Sequence, residues 1–257
     1  MTMSLIDLTR SRLAAELIDD QLFKQPESND RGDCPICCLP LPIQTLALSS
    51  CCGTVVCEGC SYAYLLRKRG VNIEPTCPFC RHPVPETEEE IKKNLMKRVE
   101  ANDHNALNKM GNIRWKEGDY DGAFKYLTKA VELGNVDAHH KLSIMYLKGQ
   151  GVEKDEKKNI FHLEQAAIQG HTYARYNLAM NEGRKGRSDR AVKHLIIAAN
   201  LGDDTAIKKL MGCYRDGLVS KDDFAMALRA HKAAVDAMKS PQRIAAGKYY
   251  AEIPIRY

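Results

Sequence analysis

Long apolar runs are missing from this 257-residue chain, and no stretch approaches the roughly 18 residues that a membrane-spanning helix needs. The expectation is therefore a protein with no membrane segment. The start, Met1-Thr2-Met3-Ser4-Leu5-Ile6-Asp7, lacks the charged end and extended apolar stretch of a secretory signal. That predicts a cytoplasmic or nuclear protein and argues against a disulfide framework, which needs an oxidising compartment. Aromatics are scarce at 7%, with Trp115 the single tryptophan, and charged residues reach 28%. Such a composition is that of a soluble, helix-tolerant chain. The chain also shows no Ser/His/Asp set and no glycine-rich phosphate loop. No residue is therefore a candidate nucleophile, and no catalytic residue is assigned.

Cysteine is abundant, but in one place. Nine of the ten cysteines fall between residues 34 and 80, as Cys34-Pro-Ile-Cys37-Cys38, Cys51-Cys52-Gly53-Thr-Val-Val-Cys57-Glu-Gly-Cys60 and Cys77-Pro-Phe-Cys80. So short a segment cannot bury enough apolar surface to fold by itself. Three C-x-x-C pairs plus the vicinal pair supply eight thiolates, enough for two tetrahedral zinc ions. Structural zinc contributes on the order of 10–16 kcal/mol in small peptides. A thioredoxin-type redox pair would sit in a βαβ unit, and no such pattern surrounds these cysteines. The sulfur count also corrects the charge. The formal +5 treats cysteine as neutral; eight thiolates and two dications bring it to about +1 and remove bulk-charge support for nucleic-acid binding. The cluster Arg67-Lys68-Arg69 reads as a solvated helix end.

The order pair, single, single, pair, pair resembles the RING finger, and more narrowly its all-cysteine subclass. The run Cys52-Gly53-x-x-x-Cys57 stands where most RING fingers place a histidine. RING ligands alternate between metals. The resemblance therefore implies Cys34, Cys37, Cys57 and Cys60 on one Zn2+, and Cys51, Cys52, Cys77 and Cys80 on the other. Adjacent middle ligands depart from the usual pattern. In extended chain their side chains point to opposite faces, so the backbone must turn sharply, with Gly53 supplying a φ > 0 position. Cys38 and His82 are the substitutes should Cys51 not reach the ion.

From residue 103 the chain repeats itself. Ala106, Ala138, Ala174 and Ala206 are spaced 32, 36 and 32 residues apart, each followed four residues later by Met110, Leu142, Leu178 or Leu210. Ala130, Ala166 and Ala198 precede Gly134, Gly170 and Gly202 by four. This period is that of helix-turn-helix solenoids. Small alanines let helices approach, and each glycine suits a left-handed C-cap. Asn105, Asp137 and Asp203 or Asp204 are the expected N-caps. The unit from Asp137 to Gly170, with Gly149-Gln150-Gly151-Val152, resembles the Sel-one-like repeat. The other units lean toward its relative, the tetratricopeptide repeat. His162 and His194 occupy equivalent positions and read as packing or surface residues, Cys213 as a buried inert thiol, and His139-His140 as a helix-surface pair.

The flanks complete the organisation. Residues 1–30 hold an amphipathic helix over 4–23 and most of a loose polar linker, which runs over 24–33 into the start of the next segment. Residues 31–85 form the RING-type finger. Thr87-Glu88-Glu89-Glu90 opens a connecting helix within 86–102 by a capping box. The solenoid of about four repeats spans 103–238, with a C-terminal cap and tail over 239–257. The fold class is thus a small zinc-stabilised α+β RING finger plus an all-α helical-repeat solenoid.

RING fingers recruit a ubiquitin-conjugating enzyme charged with ubiquitin and act by proximity and orientation. The resemblance places an apolar contact for that enzyme at Ile36, a proline at Pro78, bulky contacts at Leu65 or Leu66, and a basic linchpin at Arg81. An Arg there donates to two carbonyls at once. The implied function is a RING-type ubiquitin ligase or ligase subunit whose repeats bind substrate or adaptor proteins. The alternative is a non-catalytic zinc-binding scaffold for protein–protein interactions.

Overall fold

The computed structural model describes residues 19–43, 46–70, 76–85 and 87–252. Most of the N-terminal stripe, residues 4–18, lies outside them. A short antiparallel pair, β1 (Leu46–Leu48) and β2 (Val55–Cys57), sets Leu46 opposite Cys57 and Leu48 opposite Val55. It leads directly into α1 (Glu58–Gly70). A long helical array follows: α2 (Glu88–Glu100), α3 (His104–Glu117), α4 (Tyr120–Glu132), α5 (Val136–Lys148), α6 (Glu156–Ile168), α7 (Thr172–Arg184), α8 (Ser188–Asn200), α9 (Asp204–Arg215), α10 (Lys221–Ala237) and α11 (Pro241–Glu252). Among the described residues no helix is long and apolar enough to cross a membrane.

The repeat phase follows from size alternation. All seven landmark alanines, 106, 130, 138, 166, 174, 198 and 206, are fully buried, and Met110, Leu142, Leu178 and Leu210 sit beside them in the core. The turns between repeats are alike. Gly134, Gly170 and Gly202 have φ of 84°, 89° and 92°. The next residue donates its N–H to the carbonyl five residues back: Asn135 to Ala130 (2.9 Å), His171 to Ala166 (3.1 Å), Asp203 to Ala198 (3.1 Å). This is the Schellman pattern, which satisfies carbonyls left free at a helix end. The same residue caps the following helix, since Asn135, His171 and Asp203 accept from Ala138, Ala174 and Ala206 N–H. The N-caps are therefore Asp103, Asn135, His171 and Asp203, correcting Asn105 and Asp137 by two residues. One residue closes one helix and opens the next, which leaves no room for a separate linker. At the α2–α3 junction Asn102 takes the left-handed position (φ 56°), so the connecting helix joins the array through the same turn. As expected, Thr87 caps α2 by accepting from Glu90 N–H.

Three other readings change on folding. Residues 24–33 are tied down, not loose: Asn29 donates to Leu41 O (3.1 Å), and Arg31 pairs with Asp137 (3.1 Å). His139 and His140 are not free surface. His139 Nδ1 meets His162 Nδ1 at 3.0 Å, and the His140 ring packs on His171 with centroids 4.6 Å apart, because the adjoining helices cover that face. The C-terminal helix does not simply cap the array. α11 returns to α1, setting Tyr62 against Tyr249 with ring centroids 4.8 Å apart. Both ends of the helical array thus meet the cysteine lobe.

Candidate metal centre

Two of the lobe's loops are built alike. In each, the residue after a C-P-x-C pair adopts a left-handed backbone, Cys38 (φ 53°) and Arg81 (φ 59°). Its N–H donates to the first cysteine carbonyl: Cys38 to Cys34 O (2.8 Å), Arg81 to Cys77 O (3.1 Å). The first cysteine N–H closes the loop on Leu39 O (2.9 Å) or His82 O (2.7 Å). Such a knuckle turns both cysteine side chains to one side. The third loop solves the adjacent-ligand problem through a tight turn. Gly53 N–H donates to Ser49 O (2.8 Å) with φ 75°, wrapping Cys51 and Cys52 into a helix-like turn. Neighbouring side chains there diverge by about 100°, not the half-turn of a strand.

These loops bring the sulfurs together in two interleaved groups. Cys34, Cys37, Cys57 and Cys60 lie within 4.8 Å of one another, as do Cys51, Cys52, Cys77 and Cys80. Neither group includes Cys38 or His82. A tetrahedral ion with metal–sulfur bonds of about 2.3 Å spaces its sulfurs about 3.8 Å apart. The measured separations are 3.8 Å for Cys37–Cys57, 3.6 Å for Cys52–Cys77 and 3.3 Å for Cys51–Cys80. All are too long for a disulfide. Each group is a soft donor set of the right size to hold a metal ion.

The electrostatics fit a cation as well. Burial works to raise the Cys34 thiol, but N–H donation from Cys57, Cys37 and Ile36 outweighs it and brings it down to about 6. Burial likewise opposes ionisation of Cys77, and Ser49 with the N–H groups of Cys80 and Phe79 brings it to about 6. Burial and the neighbouring sulfurs push Cys60 and Cys51 up. In each group one thiol is prepared to ionise and another resists, a conflict that a bound dication relieves.

Two arginines that the sequence did not single out complete the surroundings. Arg98 of α2 donates to Ser49 O and Ser50 O (3.4 Å each) and pairs with Asp103 (2.8 Å). A Cβ on Gly53 would sit 2.0 Å from its guanidinium, so the glycine is needed for this approach as well as for its φ. Arg243 of α11 donates to Pro40 O (2.6 Å) and Leu39 O (3.2 Å), and its Nη2 lies 3.4 Å from Cys37 Sγ. Here the C-terminal helix touches a candidate ligand directly, the kind of outer contact that orients metal ligands. A Cβ on Gly59 would fall 2.6 Å from the Arg243 nitrogen, which accounts for a glycine inside α1. No sequence period marks a pair separated by 206 positions.

The candidate docking residues divide. Ile36 and Leu66 are about half exposed, and Arg81 is exposed. Leu65 and Pro78 line a cleft of about 330 Å³ between α1, the second knuckle and α2, together with Tyr64, Val84 and Ile91.

A third ligand-like group, Asp30, Asp137 and His171, has a different character. His171 Nδ1 accepts from Ala174 N–H (3.1 Å), so Nε2 carries the proton and points it at Asp137 Oδ1 (3.2 Å). That imidazole has no lone pair left for a metal. The group is a tie between the N-terminal segment and the repeats.

Residues 106–135, 136–171 and 172–203 each match the Sel1 repeat. The fold is similar to a Sel1 repeat protein from Oxalobacter formigenes, with 26% identity, 70% of each chain covered and a TM-score of 0.52. It is also similar to a protective antigen of uropathogenic Escherichia coli displaying an SLR fold, at 18% identity, 68% and 38% coverage and a TM-score of 0.47. DAP3-binding cell death enhancer 1 of Mus musculus is 25% identical over 177 residues, which cover 53% of this chain and 35% of the relative. The chain thus spans about a third of that relative's length. Residues 106–203 are three consecutive Sel1 repeats within a longer helical array, an architecture that acts as a protein–protein interaction scaffold.

Proposed function

We propose that the cysteine lobe is a RING-type zinc finger and that the chain is a ubiquitin ligase or ligase subunit. In this reading the lobe recruits a charged ubiquitin-conjugating enzyme, and the repeats present a protein substrate or adaptor. The observation that carries it is the crossed arrangement of two four-sulfur groups, in which the second loop contributes to both. Bound zinc supplies the lobe with shape, not chemistry, because four thiolates leave no open position on either ion. The chain's own work is docking and orientation. Ile36 stands exposed on the first knuckle, and Leu65 with Pro78 forms an apolar cleft. Arg81 stands exposed directly after the last sulfur, a strained left-handed conformation that hydrogen bonding of its knuckle maintains.

The test is chain synthesis with activating enzyme, a panel of conjugating enzymes and ubiquitin. We expect chains with at least one carrier, lost in Ile36→Ala and strongly reduced in Arg81→Ala. No chains with any carrier, from protein holding two zinc ions, would sink the ligase reading. One observation favours the non-catalytic scaffold instead: α11 and Arg243 pack on the same lobe that would dock the carrier. Absence of any carrier contact at Ile36 in chemical-shift mapping would move the assignment to that reading. The repeats would then act as a plain binding platform; the murine relative is by its name a DAP3-binding protein.

A further inference from the structure

Helices α6, α7 and α8 form a groove filled by the chain's own residues 19–25. Residues 19–22 are helical and end at Leu22, which is 1% exposed in a core with Leu163 and Leu178. Phe23 lies on the His194 ring, with centroids 4.7 Å apart, and beneath the cations of Arg190 (4.8 Å) and Lys193 (5.3 Å). Asp19 pairs with Arg190. Arg175 donates from Nη1 to Leu22 O and from Nη2 to Lys24 O (3.4 Å). Asn200 donates to Gln25 Oε1 (3.0 Å).

The polar groups of this groove differ from those of a permanent core. Arg175 is fully buried, and among the described residues no carboxylate pairs with it. Its Nε has no partner, and neither ring nitrogen of fully buried His194 has one among the described residues. Each unpaired buried donor or acceptor costs stability, and sequences lose such groups where nothing requires them. What the groove does well is read a peptide. The Arg175 fork takes the carbonyls left free at a helix end, whatever the side chains there. The apolar slot and the paired cations then select an aliphatic residue, an aromatic residue and a preceding acid.

We propose that this groove is a peptide-recognition site of the repeats, and that residues 19–25 are a displaceable occupant in cis. The partner is a helical segment of another protein that ends on a Leu-aromatic pair with an acid three residues before it. The tethered segment competes at an effective concentration of order millimolar, so partner affinity is reduced by the fraction of chains that are closed. The proposal stands apart from the ligase reading, because none of these residues belongs to the cysteine lobe.

The test uses a fluorescently labelled peptide of residues 16–31 and the full chain, with its own segment released by Leu22→Asp together with Phe23→Asp. Saturable binding to the released chain, at least roughly tenfold tighter than to the wild type, is expected. Equal affinity for both chains, or no binding by a released chain of unchanged helical circular dichroism, overturns the proposal. Native-state hydrogen exchange on the wild-type chain decides independently of that variant's folding. Opening of residues 19–25 well before α6–α8 supports a displaceable segment, and exchange only with global unfolding overturns it.

Discussion

The cysteine lobe gathers Cys34, Leu41, Val56 and Cys57 as its apolar core, while the repeats bury file after file of alanine and leucine. Half of the lobe's small core is sulfur. On the proposed zinc reading the lobe depends on what its sulfurs bind, whereas each repeat depends on its neighbours. The difference also shows in where polar groups lie. In the lobe the buried polar atoms converge on two points. In the repeats some sit at turns, where a single Asn, His or Asp serves two helices, and others, Arg175 and His194 among them, lie within helices. Arg98 and Arg243 link the two regions, one from each end of the array.

Chelation should break this comparison most sharply. If both groups hold zinc as proposed, removing the ions would cost on the order of 10 kcal/mol per site. Residues 31–85 should become protease-sensitive while far-ultraviolet circular dichroism keeps the signal of the repeats. A lobe that resists protease after chelation would mean that its apolar core suffices.

Acid should break the other half. Burial lowers His140 to about 3, with His171 adding to the shift, and lowers His162 to about 4, with His139 adding. Burial, with Arg175 adding, lowers His194 to about 3. Below about pH 6.5 the unfolded chain binds a proton at each of these sites, while the folded chain stays neutral down to about 3–4. The unfolded state then holds more protons, so stability is complete above 6.5 and falls with pH by up to roughly 1.4 kcal/mol per pH unit for each histidine. Urea melts between pH 7 and 5 check this. His194→Phe should flatten the slope by about one histidine's share, because that ring has no polar partner to lose. An unchanged slope would place the acid sensitivity elsewhere.

Arg243→Ala sharpens the comparison most finely. It removes donation to Pro40 O and Leu39 O together with the contact to Cys37 Sγ, at an expected cost of about 1.5–3 kcal/mol. Hydrogen exchange should accelerate in α11 and the first knuckle and leave α3–α9 unchanged. Acceleration throughout would make lobe and array one cooperative unit.

Legibility followed sequence distance. The repeat phase could be read because burial recurs locally, alanine then leucine four residues on, and the burial of Ala106, Ala138, Ala174 and Ala206 follows it. The cap positions were off by two because Asn135 and Asp103 do double duty, and a propensity argument favours any polar residue near the boundary. His171 as a cap gave no signal, since histidine is not a usual cap residue. His139 and His140 looked like surface because a single helix does not reveal which of its polar faces the next repeat will cover.

By itself the sequence determined what repetition and residue chemistry encode: a segment rich in sulfur donors, a helical array of period 32 to 36, and the turns that join its units. Each of these depends on contacts within a few tens of residues. Tertiary structure alone decided that residues 19–25 lie along α6–α8, that Arg98 and Arg243 brace the cysteine loops, and that α11 closes back on α1. Those contacts join residues about 50 to more than 200 positions apart. Their free energy depends on where the solenoid's curvature delivers its ends, a quantity summed over every helix and written in no single stretch of chain.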